Sequence, residues 1–367
     1  MKNKLPFAML GTSKNDPDLF YATKFNAPDP VAAVAFADGG VLLLVGDMEL
    51  GRARRAAAAD CRVETAGTLG LGGAPSGPAA TLRETLLQEG IFAVSVGEGF
   101  PFGAAVELEK AGIEVVSAET SPFAKARETK TPEEIAAIRA SQRAARAAER
   151  ALGAAIRAAE PDARGQLVLD GAALTSERAR RIVRETLLAH GTMDFDGTIV
   201  AGGTQAADPH EAGHGPLRAG ETIVADIFPR SLSTGYWGDM TRTFRHGRLS
   251  PELRRMYDAV AEAQKAGIAA VRPGATGADV HAAVCRVFES RGFRTGKDAT
   301  GRPYGFIHST GHGVGLEIHE APRLSPSGGA LRPGMVVTVE PGLYYPGVGG
   351  VRIEDTVLVV PSGREVL

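Results

Sequence analysis

Ile307-His308-Ser309-Thr310-Gly311-His312-Gly313-Val314-Gly315-Leu316-Glu317-Ile318-His319-Glu320 holds three of the chain's eight histidines. Glycines at 311, 313 and 315 alternate with His312 and Val314. Glycine inside an extended run marks a bulge or a close approach of backbone to something packed or bound against it. A histidine between two such glycines is presented with little side-chain cover. Taken alone, the pattern reads equally well as a glycine-rich turn with chance histidines. What shifts the balance is a set of four carboxylates in strand-like runs elsewhere in the chain.

Two of them lie upstream: Asp226 in Ile223-Val-Ala-Asp-Ile-Phe228 and Asp239 in Gly238-Asp-Met-Thr-Arg-Thr-Phe244. Two lie downstream: Glu340 in Val336-Val-Thr-Val-Glu-Pro341 and Glu354 in Val351-Arg-Ile-Glu-Asp-Thr-Val357. An acid in an apolar strand is costly unless it is paired or binds a metal. One such acid is commonly salt-bridged to a neighbouring arginine. Four, delivered pairwise by two matching hairpins, point instead to a shared site. Four carboxylates and one imidazole make an oxygen-rich set. It suits two divalent ions such as Mn²⁺, Co²⁺, Fe²⁺ or Zn²⁺ better than a structural zinc, which takes four ligands richer in sulfur or nitrogen.

The surrounding sequence repeats one plan. Thr131-Pro132-Glu133-Glu134 carries an N-cap, a proline suited to the first helical turn and a capping box, and predicts a helix towards Ala159 stopped by Glu160-Pro161. A second helix is predicted over Ser176 to His190, closed by Gly191. Strand runs follow at Thr198 to Ala201, Thr222 to Phe228 and Tyr236 to Arg245, with Pro229 to Gly235 as the turn joining the last two. Then Ser250-Pro251-Glu252 opens a helix to about Val271, stopped by Arg272-Pro273-Gly274. Thr276-Gly-Ala-Asp279 is another capping box, and Gly292 closes the helix it opens. The histidine stretch, Met335 to Glu340 and Val351 to Val360 are the strands of this half. Helix, helix, hairpin occurs twice, which predicts two similar halves whose strands form a curved sheet with the helices outside.

Ahead of Ser121 to Lys130 the pattern differs. Val31 to Phe36 and Val41 to Val45, around Asp38-Gly39-Gly40, read as a hairpin. Glu49 to Ala59 and Thr81 to Glu89 read as helices, and Ile91 to Val96 and Ile113 to Val116 as strands. This alternation predicts an α/β domain. Gly67 to Gly77 lacks the GK[ST] ending of a phosphate loop and has no convincing helix at its end, so it reads as a loop.

Composition bounds the rest. A chain of 367 residues exceeds one ordinary core, so two domains are expected, 1–128 and 129–367. Hydrophobic content of 44% and charged content of 23% are those of a globular protein, and a net charge of −2 gives no sign of a nucleic-acid partner. Cys61 and Cys285, the only cysteines, are too few for a disulfide framework and fit a reducing compartment. Lys2 and Lys4 are followed by an apolar run too short for a secretory segment. Val31 to Val45 is broken by Asp38-Gly39-Gly40, so no membrane span is predicted. The expectation is a cytoplasmic protein.

With these residues in hand, the set Asp226, Asp239, His312, Glu340 and Glu354 resembles the five-ligand site of the pita-bread metallopeptidases, which include Xaa-Pro dipeptidase (prolidase), aminopeptidase P and methionine aminopeptidase. GHGVGLEIHE, GDMTRTF, VEPG and VRIEDT are similar to that family's motifs over about Lys130 to Leu367. Residues 1 to about 128 resemble, more loosely, the N-terminal domain of prolidase, aminopeptidase P and creatinase. One departure stands out: Asp239 follows Asp226 by 13 positions, slightly more than the family pattern, with the extra residues in Pro229 to Gly235.

The resemblance implies roles. Asp226 would hold one ion, His312 and Glu340 the other, and Asp239 and Glu354 would bridge them, with manganese first among the candidate metals. Glu340 would also accept the proton of the attacking water. Arg352 would orient the bridging acids, since strand periodicity puts it on the face of Glu354. His210 and His319 would bind substrate and assist catalysis, with His214 a less well-spaced competitor and His308 either lining the pocket or satisfying backbone. Asp355, Glu317, Glu211 and Glu320 are left outside the ligand set. The implied activity is removal of the N-terminal residue from short Xaa-Pro peptides by a homodimer, with Arg230 or Arg352 as partner for the substrate carboxylate. The alternatives are an aminopeptidase P acting on longer peptides, a creatinase-like amidinohydrolase, and a non-catalytic binding protein of the same fold.

Overall fold

The computed structural model describes residues 5–72 and 75–367, so Lys2, Lys4 and two residues of the glycine-rich stretch, Gly73 and Ala74, lie outside the described residues. The chain divides into two units, Met1–Arg127 and Glu128–Leu367.

In the first unit six strands form one mixed sheet. Their order is Cys61–Glu64, Val41–Leu44, Val31–Ala35, Phe7–Gly11, Ala93–Val96 and Glu114–Ser117. Phe7–Gly11, read from sequence only as a short apolar run, sits in the middle of that sheet. Its alternation is that of a strand covered on both faces. Phe7 and Met9 pack with Leu19 and Phe25 on one side, while Ala8 packs with Leu82, Leu86 and Leu108 on the other. The loop ending at Gly77 is followed directly by a helix, Pro78–Gln88, contrary to expectation. Its signal is weak because no side chain caps it; Pro78 at the first turn is its only marker.

In the second unit the predicted caps form. Thr131 N–H donates to Glu134 Oε2 at 2.9 Å and Glu134 N–H donates to Thr131 Oγ1 at 3.3 Å, opening the helix Pro132–Ala158. Thr276 and Asp279 make the same reciprocal pair at the start of Gly277–Ser290. Pro132–Ala158 packs on Ser176–Ala189, and Pro251–Ala270 on Gly277–Ser290. Ala144, Ala148, Leu152 and Ile156 recur every fourth residue, so one stripe of the first helix is buried. That stripe lies against Ile223, Ala225 and Ile227 of the strand Thr222–Ile227. Period two then turns Asp226 to the opposite face. The second half does the same: Val337 and Val339 join the core, and Thr338 and Glu340 face the other way.

The ladders form a three-stranded sheet (Ile199–Gly202, Thr222–Ile227, Met240–Arg245) and a five-stranded one. The order of the latter is Glu320–Leu324, Gly311–Gly313, Val336–Val339, Asp355–Val360, Gly363–Val366. The two sheets are stitched where Glu354 N–H donates to the Thr241 carbonyl at 3.0 Å and Thr356 Oγ1 donates to the Asp239 carbonyl at 2.8 Å.

Three strand expectations change. The histidine stretch pairs only over Gly311–Gly313, with a register shift between His312 and Gly313, and then leaves the ladder until Glu320. Val351 to Val360 is two strands, Gly349–Arg352 and Asp355–Val360, broken at Ile353-Glu354. Tyr236 to Gly238 precede the strand Met240–Arg245. The turn before them contains Arg230–Ser231, paired with Thr192–Met193.

Candidate metal centre

Asp226 leaves the strand Thr222–Ile227 on the face away from the core. Asp239 is set by the first helix: Gln142 Nε2 donates to the Asp239 carbonyl and Asp239 N–H donates to Gln142 Oε1, both at 2.9 Å. Gly238 permits this approach, because a Cβ there would stand 2.7 Å from the Ser141 carbonyl carbon.

His312 is held from both sides. Its N–H donates to Thr338 Oγ1 at 3.0 Å, and its Nδ1 lies 3.1 Å from the Gly313 carbonyl, which leaves Nε2 facing the acids. The flanking glycines are close approaches, as their alternation suggested. A Cβ at Gly311 would stand 2.0 Å from the Thr338 oxygen, one at Gly313 2.2 Å from the Ala321 oxygen, and one at Gly315 2.3 Å from Glu320 Oε1. Glu354 sits in the break between two strands and accepts a 2.7 Å hydrogen bond from Thr241 Oγ1. Thr338 Oγ1 donates to Glu340 Oε1 at 3.2 Å.

The five side chains line one cavity of about 720 Å³. Asp239, His312 and Glu354 offer ligand atoms all within 4.8 Å of one another. His312 Nε2 is 3.1 Å from Glu340 Oε1 and 3.6 Å from Asp239 Oδ2. Burial, and then the charges of Glu354, Asp226 and Glu340, raise the Asp239 carboxyl well above its usual range. Burial followed by Glu340 and Asp226 does the same to Glu354. Burial would raise Glu340 too, but the hydrogen bond and charge of His312 outweigh it and bring it to about 2. Asp226 Oδ1 is buried without a hydrogen-bond partner. A buried carboxylate oxygen with an open lone pair, among acids that repel one another, is what a divalent cation satisfies. The residues present therefore fit a metal.

Arg352 balances part of this charge. Its guanidinium donates to Asp226 Oδ2 at 2.7 Å, to Tyr344 Oη at 2.8 Å and to Thr241 Oγ1 at 3.1 Å. Tyr344 Oη lies 3.0 Å from His308 Nε2, and His308 Nδ1 lies 2.7 Å from the Ser309 carbonyl. His308 thus both lines the cavity and satisfies backbone. Burial pushes the Tyr344 hydroxyl up to about 12, and lowers His308. Sequence reasoning missed Tyr344. Its one signal is position, four residues after Glu340.

His210 and His319 also line the cavity. The ring of His319 stands edge-on to His312, centroids 4.3 Å apart, and burial followed by the His312 charge lowers its pKa. His214 is turned outward, its backbone N–H and carbonyl both bound by the Gln205 amide. Arg230 is not at the rim: it is 9% exposed, its Nε donates to the Gly235 carbonyl at 2.9 Å, and its guanidinium lies over Trp237. The segment just after that turn braces the histidine loop instead, because Trp237 donates to the Gly315 and Leu316 carbonyls at 2.9 and 3.1 Å. Three arginines line the cavity: Arg352, whose guanidinium is committed to Asp226, Tyr344 and Thr241 and so does not serve the substrate carboxylate, and Arg302 and Arg323. Arg323 is the cross-strand partner of His312, a relation that only pairing reveals. Of the acids left outside the ligand set, Asp355 binds Arg242 and Gln264, Glu211 accepts from Gly213 N–H, and Glu320 pairs with Lys130. Glu317 is exposed and absent from the cavity wall.

A strand-and-helix duplication thus brings two acids from one half, and a histidine and two acids from the other, into one cavity. Residues 137–361 match metallopeptidase family M24, and the chain belongs to that family. It is 33% identical over 287 residues to an Xaa-Pro dipeptidase of Pyrococcus horikoshii, covering 76% of this chain and 74% of that one. Another Xaa-Pro dipeptidase, from Pyrococcus furiosus, is 41% identical over 177 residues, 47% of each chain. That match, like several others, spans about half the length of the relative. A solved Xaa-Pro dipeptidase from Bacillus anthracis has the same fold, with TM-score 0.81 and 25% identity over 98% of this chain and 92% of its own. Among the described residues no helix is long and apolar enough to cross a membrane.

Proposed function

We propose that this protein hydrolyses the N-terminal peptide bond of short peptides with proline second, using two divalent ions. The observation that carries the reading is the five-residue ligand set around one cavity, with a buried, unpartnered Asp226 oxygen. Asp226 would hold one ion, His312 and Glu340 the other, with Asp239 and Glu354 shared; Mn²⁺ is favoured, with Co²⁺, Zn²⁺ or Fe²⁺ as alternatives. Ions bound there acidify a water and polarise the scissile carbonyl.

The chain's own groups do the rest. Glu340 takes the proton of the attacking water; once His312 Nε2 serves as a ligand, its hold on that carboxylate is released. His319 and His210, both on the cavity wall, would hydrogen-bond the developing oxyanion and relay to the leaving proline nitrogen the proton that Glu340 took from the water. Arg352 fixes Asp226 in place.

Two relatives bearing the name Xaa-Pro dipeptidase support the substrate class. Arg323 and Arg302 on the cavity wall support a dipeptide preference, because a free carboxylate just past the scissile bond needs a cationic partner. We read residues 1–128 as a creatinase/prolidase-type N-terminal domain, and the protein as a cytoplasmic homodimer. The deciding experiment is a cleavage panel with added Mn²⁺, Co²⁺ or Zn²⁺, comparing Xaa-Pro dipeptides, their C-terminal amides, Xaa-Pro tripeptides and Met-Ala peptides. Faster cleavage of the free dipeptide is expected. Equal kcat/KM for acid and amide would replace this reading with an aminopeptidase P, and no cleavage of any peptide by metal-loaded protein would remove the peptidase reading.

A further inference from the structure

A second group of metal-competent side chains lies on the helix Gly277–Ser290, outside the five-residue set. His281 and Cys285 are one turn apart, which puts them on one face. Cys285 Sγ stands 3.5 Å from His281 Nε2. The imidazole is not free to swing: its Nδ1 lies 3.0 Å from Thr310 Oγ1, and its ring packs on Phe306 with centroids 5.4 Å apart. With Nδ1–H donating to Thr310, Nε2 presents its lone pair towards the sulfur. Fixing one ring nitrogen by a hydrogen bond so that the other can ligate is how metal-binding histidines are generally oriented.

The distance itself is informative. Zinc binds cysteine sulfur at about 2.3 Å and histidine nitrogen at about 2.0–2.1 Å, and two such bonds at a tetrahedral angle set sulfur and nitrogen roughly 3.5 Å apart. The pair therefore already has the spacing of two ligands on one tetrahedral ion. A cleft of about 770 Å³ opens onto it, lined also by Glu289, one further turn along the same helix face. Ile307, His308 and Ser309 line this cleft and the catalytic cavity alike, so the two share a wall. Thr310, which holds His281, also accepts the Glu340 N–H at its carbonyl at 2.8 Å.

We propose that His281 and Cys285 form a separate binding site for a thiophilic divalent ion such as Zn²⁺ or Cd²⁺, and that its occupation inhibits the enzyme. The cysteine binds as thiolate and releases its proton to solvent; water from the cleft completes the coordination. The chemistry differs from that of the oxygen-rich centre, because the thiolate selects softer ions than Mn²⁺. Inhibition follows from Thr310. An ion on Nε2 makes Nδ1–H a stronger donor to Thr310 Oγ1 and, through the Thr310 carbonyl that accepts the Glu340 N–H and through the shared wall, alters the placement of Glu340.

The test uses the full chain saturated with Mn²⁺ and carrying Cys61→Ser, so that the oxygen-rich centre is filled and Cys285 is the sole thiol. Cd²⁺ titration should produce the ultraviolet charge-transfer absorption of one cadmium–thiolate bond per chain, absent in Cys285→Ser and at least about tenfold weaker in His281→Gln. Absence of the band in the parent, or a band unaffected by His281→Gln, would overturn the site. Peptidase activity should fall in step with the absorption and be spared in Cys285→Ser, whose basal rate should match the parent's. Inhibition that persists unchanged in Cys285→Ser would overturn the regulatory role. The absorption titration needs no substrate, so failure of this site and failure of the peptidase reading are distinguishable.

Discussion

Arg352 donates to one oxygen of Asp226 at 2.7 Å and leaves the other oxygen buried and without a partner. The two residues lie 126 positions apart, yet this contact decides which way the carboxylate points. Arg352→Lys keeps the charge but loses the fork that reaches Asp226, Tyr344 and Thr241 together. Metal affinity should fall about 10- to 100-fold, measured by isothermal titration with Mn²⁺. Unchanged affinity would mean that Asp226 needs no orientation by Arg352.

In the proposed centre Glu354 would hold both ions, so Glu354→Ala should abolish binding of a pair. Plasma emission analysis of the dialysed variant should find at most one ion per chain. A variant that retains two ions as tightly as the parent removes the bridging role.

His319 lies beside His312 on the cavity wall, and in the proposed mechanism it acts on substrate and not on the ions. His319→Ala should lower kcat by about 10²- to 10⁴-fold, the range of a general acid–base group, with metal content unchanged. Parallel losses of metal and rate would make it a ligand.

Arg323 faces the cavity opposite His312 on the neighbouring strand. If it receives the dipeptide carboxylate, Arg323→Ala should cost about 1.5–3 kcal/mol, roughly 10- to 150-fold in kcat/KM, on the free acid. The C-terminal amide should barely respond. Equal losses on acid and amide would assign Arg323 to general packing.

Asp239 and Glu354 have raised pKa values in the metal-free fold, first through burial and then through neighbouring charges. A carboxylate whose folded pKa is raised destabilises the fold above that pKa, and the penalty is relieved as pH falls through it. Metal binding removes the same penalty by displacing protons. Added Mn²⁺ should therefore raise Tm by an amount that grows as pH is raised above the ordinary carboxylate range, read by differential scanning calorimetry over a pH series. A rise of the same size at every pH would show that no protons are displaced.

The caps at Thr131 and Thr276 and the period-two runs were legible without coordinates, because each is a local rule acting over a few residues. The acids stood out for the same reason: a carboxylate among valines and isoleucines contradicts its neighbourhood. Glycines 311, 313 and 315 announced close approaches, though not what approaches them. Local rules failed where the chain leaves its ladder. Glu354 was read onto a strand face beside Arg352, but it sits in a break between two strands and still reaches the cavity. Arg230, a sequence candidate for the substrate carboxylate, lies under its own turn, while no local rule marks Arg323 or Tyr344. The chain by itself thus determined which residue types were available and which way each points from its own element. Which faces then met, and so which arginine balances Asp226 and which stands open to the cavity, was decided by the tertiary structure. Burial and cross-strand pairing join residues more than a hundred positions apart, and no local period carries that distance.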